Sequence, residues 1–357
     1  MHHDGPSDDL GQLHAWLRSS STQELAGILD EADDAHRRMH AHPPRLGQAP
    51  PPVVAGATEV TLLGALGHRY GMLAGGAGGV LIRTGKSCVI VDPGPAALGL
   101  LLQLARQGRF DFADVDAVLV SHFHPDHYTD VIPCLEGAMS ARQRPGRVLL
   151  AANSTVIQRF AAFTPFHMRR VDTCTLTHLA GLAEGEQAVK LADLVVHATP
   201  TVHHEHGDET RTAIGFALDT PGGGVWYTGD TGLFDGLLDA VAALLPQTAL
   251  VIAHASGTDR HAVPERAAAC DWHLHTDAVP AIAAVLRPAC VVVQHYDAAY
   301  ASARYRIAQA VWLQRQLHAH GHETTVVGGR NGLQLTFDRR QLLHSEIVLD
   351  NSCSGPS

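Results

Sequence analysis

The sequence lacks the features of several large classes of protein. Its six cysteines form no C-x-x-C pair, and Cys88, Cys134 and Cys290 lie in apolar surroundings typical of small buried side chains. No apolar run approaches the ~20 residues that cross a bilayer, and no basic stretch followed by an apolar region opens the chain. A disulfide framework and a membrane span are therefore not expected, and the sequence predicts a soluble, cytoplasmic protein.

Positive charge is also scarce. The 357 residues include 26 Lys and Arg against 36 Asp and Glu, and no run of basic residues marks a surface for phosphate backbones. Nucleic acid is therefore not the expected substrate. With 45% hydrophobic residues, the chain can bury a large core and is long enough for one large domain and an extension.

Histidine, in contrast, is abundant, and one cluster of histidines directly follows the apolar run 117–120. Side chains alternate along a strand, so His122 and His124 project to one side and can bind one ion. Pro125 ends the strand, so Asp126 and His127 point elsewhere, toward a second ion or toward substrate. Neutral imidazoles and carboxylates are ligands of zinc and similar ions, so the pattern predicts a metal site.

This H-x-H-x-D-H pattern after an apolar strand resembles the signature of the metallo-β-lactamase fold hydrolases. Further segments of that family follow the expected order around it, and they are Ser87–Gly94, Ala198–His204, Val225–Gly232 and Cys290–Tyr296. The resemblance covers residues 56 to 338. It implies an α/β fold, a four-layer αββα sandwich of two mixed β-sheets flanked by helices, with the site at the edge where strand ends meet.

The resemblance also implies a centre of two ions and names its ligands. The first ion would be held by His122, His124 and His203. The second ion would be held by Asp126, His127 and His295. Asp230 would bridge the two ions, and Asp92 would orient a ligand histidine without contacting an ion. Spacing from Pro200 favours His203 over His204 and His206, which stay open as alternatives.

The implied chemistry is hydrolysis. Two cations a few ångströms apart lower the pKa of a bridging water and polarise the substrate oxygen, so hydroxide is available near neutral pH. An imidazole-rich set without thiolates suits two Zn²⁺ ions, and Mn²⁺ or iron also fits these residues. Asp126 could steer the attacking hydroxide as a general base. One of His254, His261, His273 and His275 could donate a proton to the leaving group or bind an anionic group, and His275 is the choice for the catalytic role.

The segment 227–234 and the ending His295-Tyr296-Asp297 look most like one branch of the family. That branch contains lactonases related to ascorbate-phosphate lactone hydrolase and ribonuclease Z-like phosphodiesterases. It predicts cleavage of a phosphodiester or lactone/ester bond in a small-molecule substrate. Three alternatives stay open: a non-catalytic member of the fold, a persulfide dioxygenase-like member with one iron, and an assembly protein acting through its N-terminal helices.

The chain is predicted to have three parts: an N-terminal helical extension and Pro-rich linker (1–52), a metallo-hydrolase domain (53–345) and a flexible tail (346–357). Ser21 and Glu24 frame a capping box that predicts a helix from about 22 to 40, after an earlier helix through Leu10 and Leu17. Further helices are predicted near 96–107, 236–245, 277–286 and 303–319. The extension could cap the active site, mediate a homodimer or pack on the core, and packing is the default expectation.

Two patterns suggest other chemistries, and their surroundings argue against both. The glycine-rich stretch 75–79 lacks the lysine of a phosphate-binding loop, so it is interpreted as structural. Asp230-Thr231-Gly232 also occurs in aspartic proteases, which need two carboxylates that share a proton. The chain has no second Asp-Thr-Gly or Asp-Ser-Gly, so a protease is not the expected function.

Overall fold

The computed structural model divides the chain into two compact units, Met1–Arg45 and Leu46–Ser357. The structure describes residues 10–41, 46–67, 72–73, 75–142, 146–178, 185–203, 205, 212–255, 273–338 and 341–348. Within those ranges, no helix is long and apolar enough to cross a membrane. The division into parts that the sequence predicts, at residues 52 and 345, stays a prediction.

The N-terminal unit contains two helices, α1 (Leu10–Ser19) and α2 (Thr22–Ala41). The start of α2 is fixed by the predicted capping box. The Ser21 N–H donates to Glu24 Oε2 at 2.7 Å, and the Glu24 N–H donates to Ser21 Oγ at 3.2 Å. Such reciprocal bonds satisfy amides that the first turn of a helix leaves without partners. The predicted helix over residues 22–40 is therefore confirmed.

The second unit contains two sheets, whose strands follow in chain order. They are β1 (Ala57–Leu62), β2 (Val80–Arg83), β3 (Cys88–Val91), β4 (Ala117–Val120), β5 (Leu149–Ala152), β6 (Asp172–Thr175), β7 (Ala188–Lys190), β8 (Val195–Thr199), β9 (Gly215–Asp219), β10 (Gly224–Tyr227), β11 (Thr248–His254), β12 (Cys290–Gln294), β13 (Thr325–Gly328), β14 (Leu333–Asp338) and β15 (Gln341–Ile347). The first sheet has the order β15-β14-β1-β2-β3-β4-β5-β6, and the second has the order β13-β12-β11-β10-β9-β8-β7.

Both sheets are mixed. In the first, β3 to β6 pair in parallel and the other neighbours pair antiparallel. In the second, β10 to β13 pair in parallel and β7 to β10 pair antiparallel. β15 includes Glu346 and Ile347, two residues that the sequence assigns to the tail.

The described helices of this unit lie between strands. They are α3 (Ala97–Arg106), α4 (Pro125–Tyr128), α5 (Val131–Ala141), α6 (Ser154–Phe163), α7 (Pro165–Met168), α8 (Leu237–Leu244), α9 (Ala278–Leu286) and α10 (Ala303–Ala319). The helices predicted near 96–107, 236–245, 277–286 and 303–319 are confirmed as α3, α8, α9 and α10.

Three apolar clusters separate four layers. The first cluster lies between the two sheets and joins Leu119 of β4 to Val292 of β12. The second lies between the first sheet and α3, α5 and α6, and the third lies between the second sheet and α8, α9 and α10. Burying one such Val or Leu side chain contributes about 1.5–3 kcal/mol, so these layers are held chiefly by apolar packing. The predicted four-layer sandwich of two mixed sheets is confirmed.

The apolar runs in the sequence reflect this layering. In β4, Ala117 and Leu119 face the cluster between the sheets, while Val118 and Val120 face the cluster under the helices. A strand covered on both faces has no polar alternation, so its sequence is a continuous apolar run. Polar residues follow such runs where the strand leaves the core, and the loops after β3, β4, β8, β10 and β12, with the last residue of β11, bring the candidate site residues together.

Candidate metal centre

The loop after β4 presents the H-x-H-x-D-H residues. The short helix α4 begins at Pro125, so the chain turns between His124 and Asp126, and the His127 N–H donates to the His124 carbonyl at 2.9 Å. This turn packs closely on glycine. A Cβ at Gly94 would lie 1.9 Å from the Asp126 carbonyl oxygen, and one at Gly78 would lie 2.3 Å from it. The stretch 75–79 is thus structural here, as interpreted, since it makes room for the turn.

A first group of donor atoms combines two residues of this loop with two from the second half of the chain. His122 Nε2 lies 2.9 Å from His124 Nδ1, and His203 Nε2 lies 3.1 Å from the same atom. Asp230 Oδ2 is 3.6 Å from His122 Nε2 and 3.7 Å from His203 Nε2. Ligands about 2.0–2.1 Å from a tetrahedral zinc ion are about 3.3 Å apart. The four side chains could therefore hold one metal ion.

A second group shares Asp230 with the first. His127 Nε2 lies 3.3 Å from His295 Nε2, and each of these nitrogens lies 3.3 Å from an Asp230 oxygen. Asp126 Oδ2 lies 3.1 Å from His295 Nε2 and 3.6 Å from His127 Nε2. His254 lies close to the same atoms, but its two ring nitrogens contact Asp230 and Gln294. The group could hold a second ion.

Asp92 lies behind both groups and is fully buried. Its Oδ2 accepts hydrogen bonds from His127 Nδ1 at 2.8 Å, from the Tyr227 hydroxyl at 3.0 Å and from Ser121 Oγ at 2.5 Å. Ser121 Oγ in turn accepts from His122 Nδ1 at 3.0 Å. Because Nδ1 of both histidines is engaged as a donor, Nε2 of each carries the lone pair that a metal needs. Asp92 thus contacts one histidine directly and another through Ser121.

Burial and neighbouring charge set the protonation of most ligands. Burial lowers the pKa of His122 well below its usual value and lowers the pKa of His295 to about 4. Burial acts to raise the pKa of Asp230, but His295 and His127 outweigh it and hold this pKa well below its usual value. These groups are therefore neutral imidazoles and an ionised carboxylate, which are the forms that bind metal ions.

His127 differs from the other ligand histidines. Burial disfavours its charged form, but the carboxylates of Asp230, Asp126 and Asp92 outweigh burial and raise its pKa well above the usual value. These carboxylates therefore favour a positive charge on the His127 imidazole. A proton can supply that charge, and so can a cation, which would displace the proton on binding.

Two histidines that follow β10 in the chain also reach Asp230. The amide of Gln294 donates to His254 Nε2 at 2.8 Å, so His254 Nδ1 carries the proton and donates to Asp230 Oδ1 at 2.9 Å. His273 Nε2 lies 3.2 Å from Asp230 Oδ2. The sequence singled out His275 of this segment, three residues before the start of α9, and its role as proton donor stays a prediction. His254 is the last residue of the apolar strand β11, and His295 directly follows the apolar strand β12, so both histidines lie at the end of an apolar run.

The structure describes some of the other histidines that the sequence singled out, and others lie outside the described residues. His203 is buried and lies in the first group, whereas its alternatives His204 and His206, like His261, lie outside the described residues. His295 adopts a left-handed backbone with φ of 65°. A Cβ at Gly67 would lie 2.3 Å from the His295 ring, so this glycine leaves the space that the ring occupies.

With this geometry in place, the family of the chain follows from comparison with known proteins. Residues 88–296 match the family model described as a beta-lactamase superfamily domain. The match spans more than half of the 357 residues, and the chain belongs to this family. An uncharacterized protein of Methanocaldococcus jannaschii, MJ1374, is 31% identical over 183 residues, which are 51% of this chain and 64% of that relative. The matched part therefore spans less than two thirds of the relative's length.

Solved structures share the fold. The metallo-beta-lactamase fold protein YhfI from Bacillus subtilis has a TM-score of 0.57 at 16% identity, covering 78% of this chain and 98% of its own. The short form of human tRNase Z has a TM-score of 0.55 at 16% identity, covering 77% and 98%. A diphosphatase from the PhnP family has a TM-score of 0.54 at 16% identity, covering 82% and 100%. The sandwich of two mixed sheets is thus the metallo-β-lactamase fold.

Proposed function

We propose that this protein is a metal-dependent hydrolase with a dinuclear centre, which cleaves a phosphodiester or lactone/ester bond in a small-molecule substrate. The observation that carries the proposal is the position of Asp230. Asp230 Oδ2 lies within 4 Å of His122 Nε2 and His203 Nε2 in the first group. In the second group, Oδ2 lies 3.3 Å from His127 Nε2 and Oδ1 lies 3.3 Å from His295 Nε2. A carboxylate shared in this way is what a pair of neighbouring cations requires.

The chemistry of the donor set favours zinc. The two groups offer imidazole nitrogens and carboxylate oxygens and no thiolate, and the same donors also suit Mn²⁺ or iron. A pair of such ions would supply an acidified water as nucleophile and a Lewis acid for the scissile oxygen. The protein would supply fixed ligand orientation through Asp92 and Ser121, because these residues hold the imidazoles of His127 and His122.

The protonation of the surrounding residues fits a hydrolase. Burial acts to raise the pKa of Asp126, but His127 and His295 lower it far below its usual value, so the carboxylate is ionised and can orient the attacking nucleophile. We propose that the segment 273–275 delivers a proton to the leaving group. His275 is the residue that the sequence favours, and His273 is the residue that contacts Asp230.

The substrate class rests on the branch resemblance. A tRNase and a diphosphatase share this fold, so the same scaffold accommodates cleavage at phosphate. The chain carries a formal charge of −10 with no basic stretch, which favours a small molecule over a nucleic acid. The cytoplasm stays the proposed location, and a homodimer through the N-terminal helices stays a proposed assembly.

The test measures metal content together with activity. Purified protein loaded with Zn²⁺ would be assayed against bis(p-nitrophenyl) phosphate and a panel of lactones, with tRNA as a comparison substrate. We expect hydrolysis of at least one small ester. His273→Gln and His275→Gln would then identify the proton donor, since loss of a general acid costs about 10²–10⁴-fold in rate. Metal-loaded protein that hydrolyses no ester on the panel would contradict the proposal.

A further inference from the structure

We propose that Glu205 is a positioning residue that holds the His203 loop against the loop of His122 and His124. By fixing the distance between these histidines, Glu205 would set the metal affinity of the first group. This inference rests on the proposed function, because it concerns how the same site binds its first ion. It assigns a role to a carboxylate that is not itself a member of either ligand group.

The carboxylate of Glu205 is buried and fully engaged. The side chain is only 2% exposed, although it carries a carboxylate that prefers water. Its Oε1 accepts the backbone N–H of Phe123 at 2.7 Å and the side-chain amide of Asn153 at 2.8 Å. The hydroxyl of Thr212 donates to Oε2. These three donors satisfy both oxygens of the buried carboxyl group.

The bond to Phe123 links two ligand loops. Phe123 is the residue between His122 and His124, and Glu205 lies two residues after His203. A hydrogen bond between Glu205 and the Phe123 N–H therefore fixes the end of the His203 loop relative to the first two histidines. The same two loops meet at the ligand atoms, where His203 Nε2 lies 3.1 Å from His124 Nδ1.

His203 is held from its other side as well. The Val202 N–H donates to Thr231 Oγ1 at 2.9 Å, and the Gly232 N–H donates to the Val202 carbonyl at 3.3 Å. Thr231 directly follows Asp230, the shared ligand. Hydrogen bonds thus link Val202, before the histidine, to the Asp230 loop, and Glu205, after it, to the His122–His124 loop.

Asn153 extends the link into the helical layer. Its Oδ1 accepts the Val156 N–H at 2.9 Å and so caps the start of α6, while its amide donates to Glu205 and to the Thr212 carbonyl at 3.0 Å. Glu205 is therefore held by an element that does not belong to the site. Rigid support of this kind is what keeps a ligand loop in place before the ion arrives.

The experiment is a Co²⁺ titration of the full-length protein, followed by the visible absorption of the bound ion. The variants are Glu205→Ala, Glu205→Gln and Glu205→Asp. Gln keeps an oxygen that can accept the Phe123 N–H, while Asp keeps the charge but is one methylene too short to reach it. We expect Ala and Asp to weaken one of two cobalt sites by about 10–100-fold, the usual cost of losing a group that supports a ligand, and Gln to retain wild-type affinity.

A double-variant comparison assigns the effect to the first group. Glu205→Ala added to His203→Ala should cause no further loss of cobalt, whereas Glu205→Ala added to His295→Ala should weaken the site that remains. The thermal midpoint of each apo-variant reports folding separately. Equal cobalt affinity in wild type and in Glu205→Ala and Glu205→Asp would overturn the positioning role alone, as would equal weakening of both sites. A wild-type protein that binds no cobalt would overturn the proposed function with it.

Discussion

The two groups of candidate ligands share Asp230 but differ in charge. The first group places three imidazoles, His122, His124 and His203, around the shared carboxylate, and His124 keeps it partly open. The second is fully buried and brings a further carboxylate, Asp126, within 3.1 Å of His295. Asp230 is therefore the one carboxylate of the first group, whereas the second group has two carboxylates, Asp230 and Asp126.

Burial lowers the pKa of His122 in the first group and of His295 in the second. His127 is the exception, because the carboxylates of Asp230, Asp126 and Asp92 outweigh burial there and raise its pKa. The first group would therefore bind its ion through neutral imidazoles and Asp230, whereas the second group adds the carboxylate of Asp126. We expect the loss of bound metal to be largest for the ligand that both groups share, smaller for a ligand of one group, and smallest for a residue that only supports a ligand.

The largest effect is expected at the residue that the two groups share. Asp230→Ala removes a ligand from both, so we expect it to bind less than one ion per chain and to lose roughly 10³-fold or more in hydrolysis, well beyond the 10–100-fold typical of supporting residues. Metal analysis after dialysis and an ester assay measure this. Asp230→Asn is the matched control of equal size, and it should lose metal as well, because its charge is gone. Two ions retained by both variants would refute the sharing.

Single-group ligands should separate the two halves. His203→Ala removes a ligand from the first group alone, and His295→Ala removes one from the second alone. Each variant is expected to keep about one ion, because the other group remains intact. Native mass spectrometry of the folded protein counts the ions. If either variant lost both ions, the two groups would have to act as one site.

Supporting residues should give the smallest effects and still distinguish the groups. Asp92→Asn disturbs His127 directly and His122 through Ser121, so both ions should bind about 10–100-fold more weakly. Ser121→Ala removes only the link to His122, so the weakening should be confined to the first ion. Competition with a chelator of known affinity measures both constants. Equal effects of the two variants on both ions would contradict the proposed path through Ser121.

Much of the fold and part of the candidate site could be predicted from the sequence, for physical reasons. Apolar runs reveal strands buried on both faces, and the polar residue that ends each run marks the edge of the sandwich. The cluster from His122 to His127 is found in this way, whereas Asp230 and His295 are implied by the resemblance of their segments to the metallo-β-lactamase family. The capping box at Ser21 likewise defines the start of α2 from a local hydrogen-bond pattern.

Other features depend on packing between distant segments and leave little local signal. Gly67 is required because its missing Cβ leaves space for the ring of His295. Spacing does not distinguish His273 from His275, and the structure places His273 Nε2 3.2 Å from Asp230 Oδ2. Glu205 looks like an ordinary polar residue of a loop until its partner, the Phe123 N–H, is known.

The number of metal ions per chain tests the central claim most directly. Elemental analysis and native mass spectrometry of zinc-loaded wild-type protein would provide that number. We expect two ions per folded chain. A chelator should remove both, and Asp230→Ala should reduce the binding of both. A folded protein that holds no ion, or that saturates with one, would contradict a shared dinuclear centre.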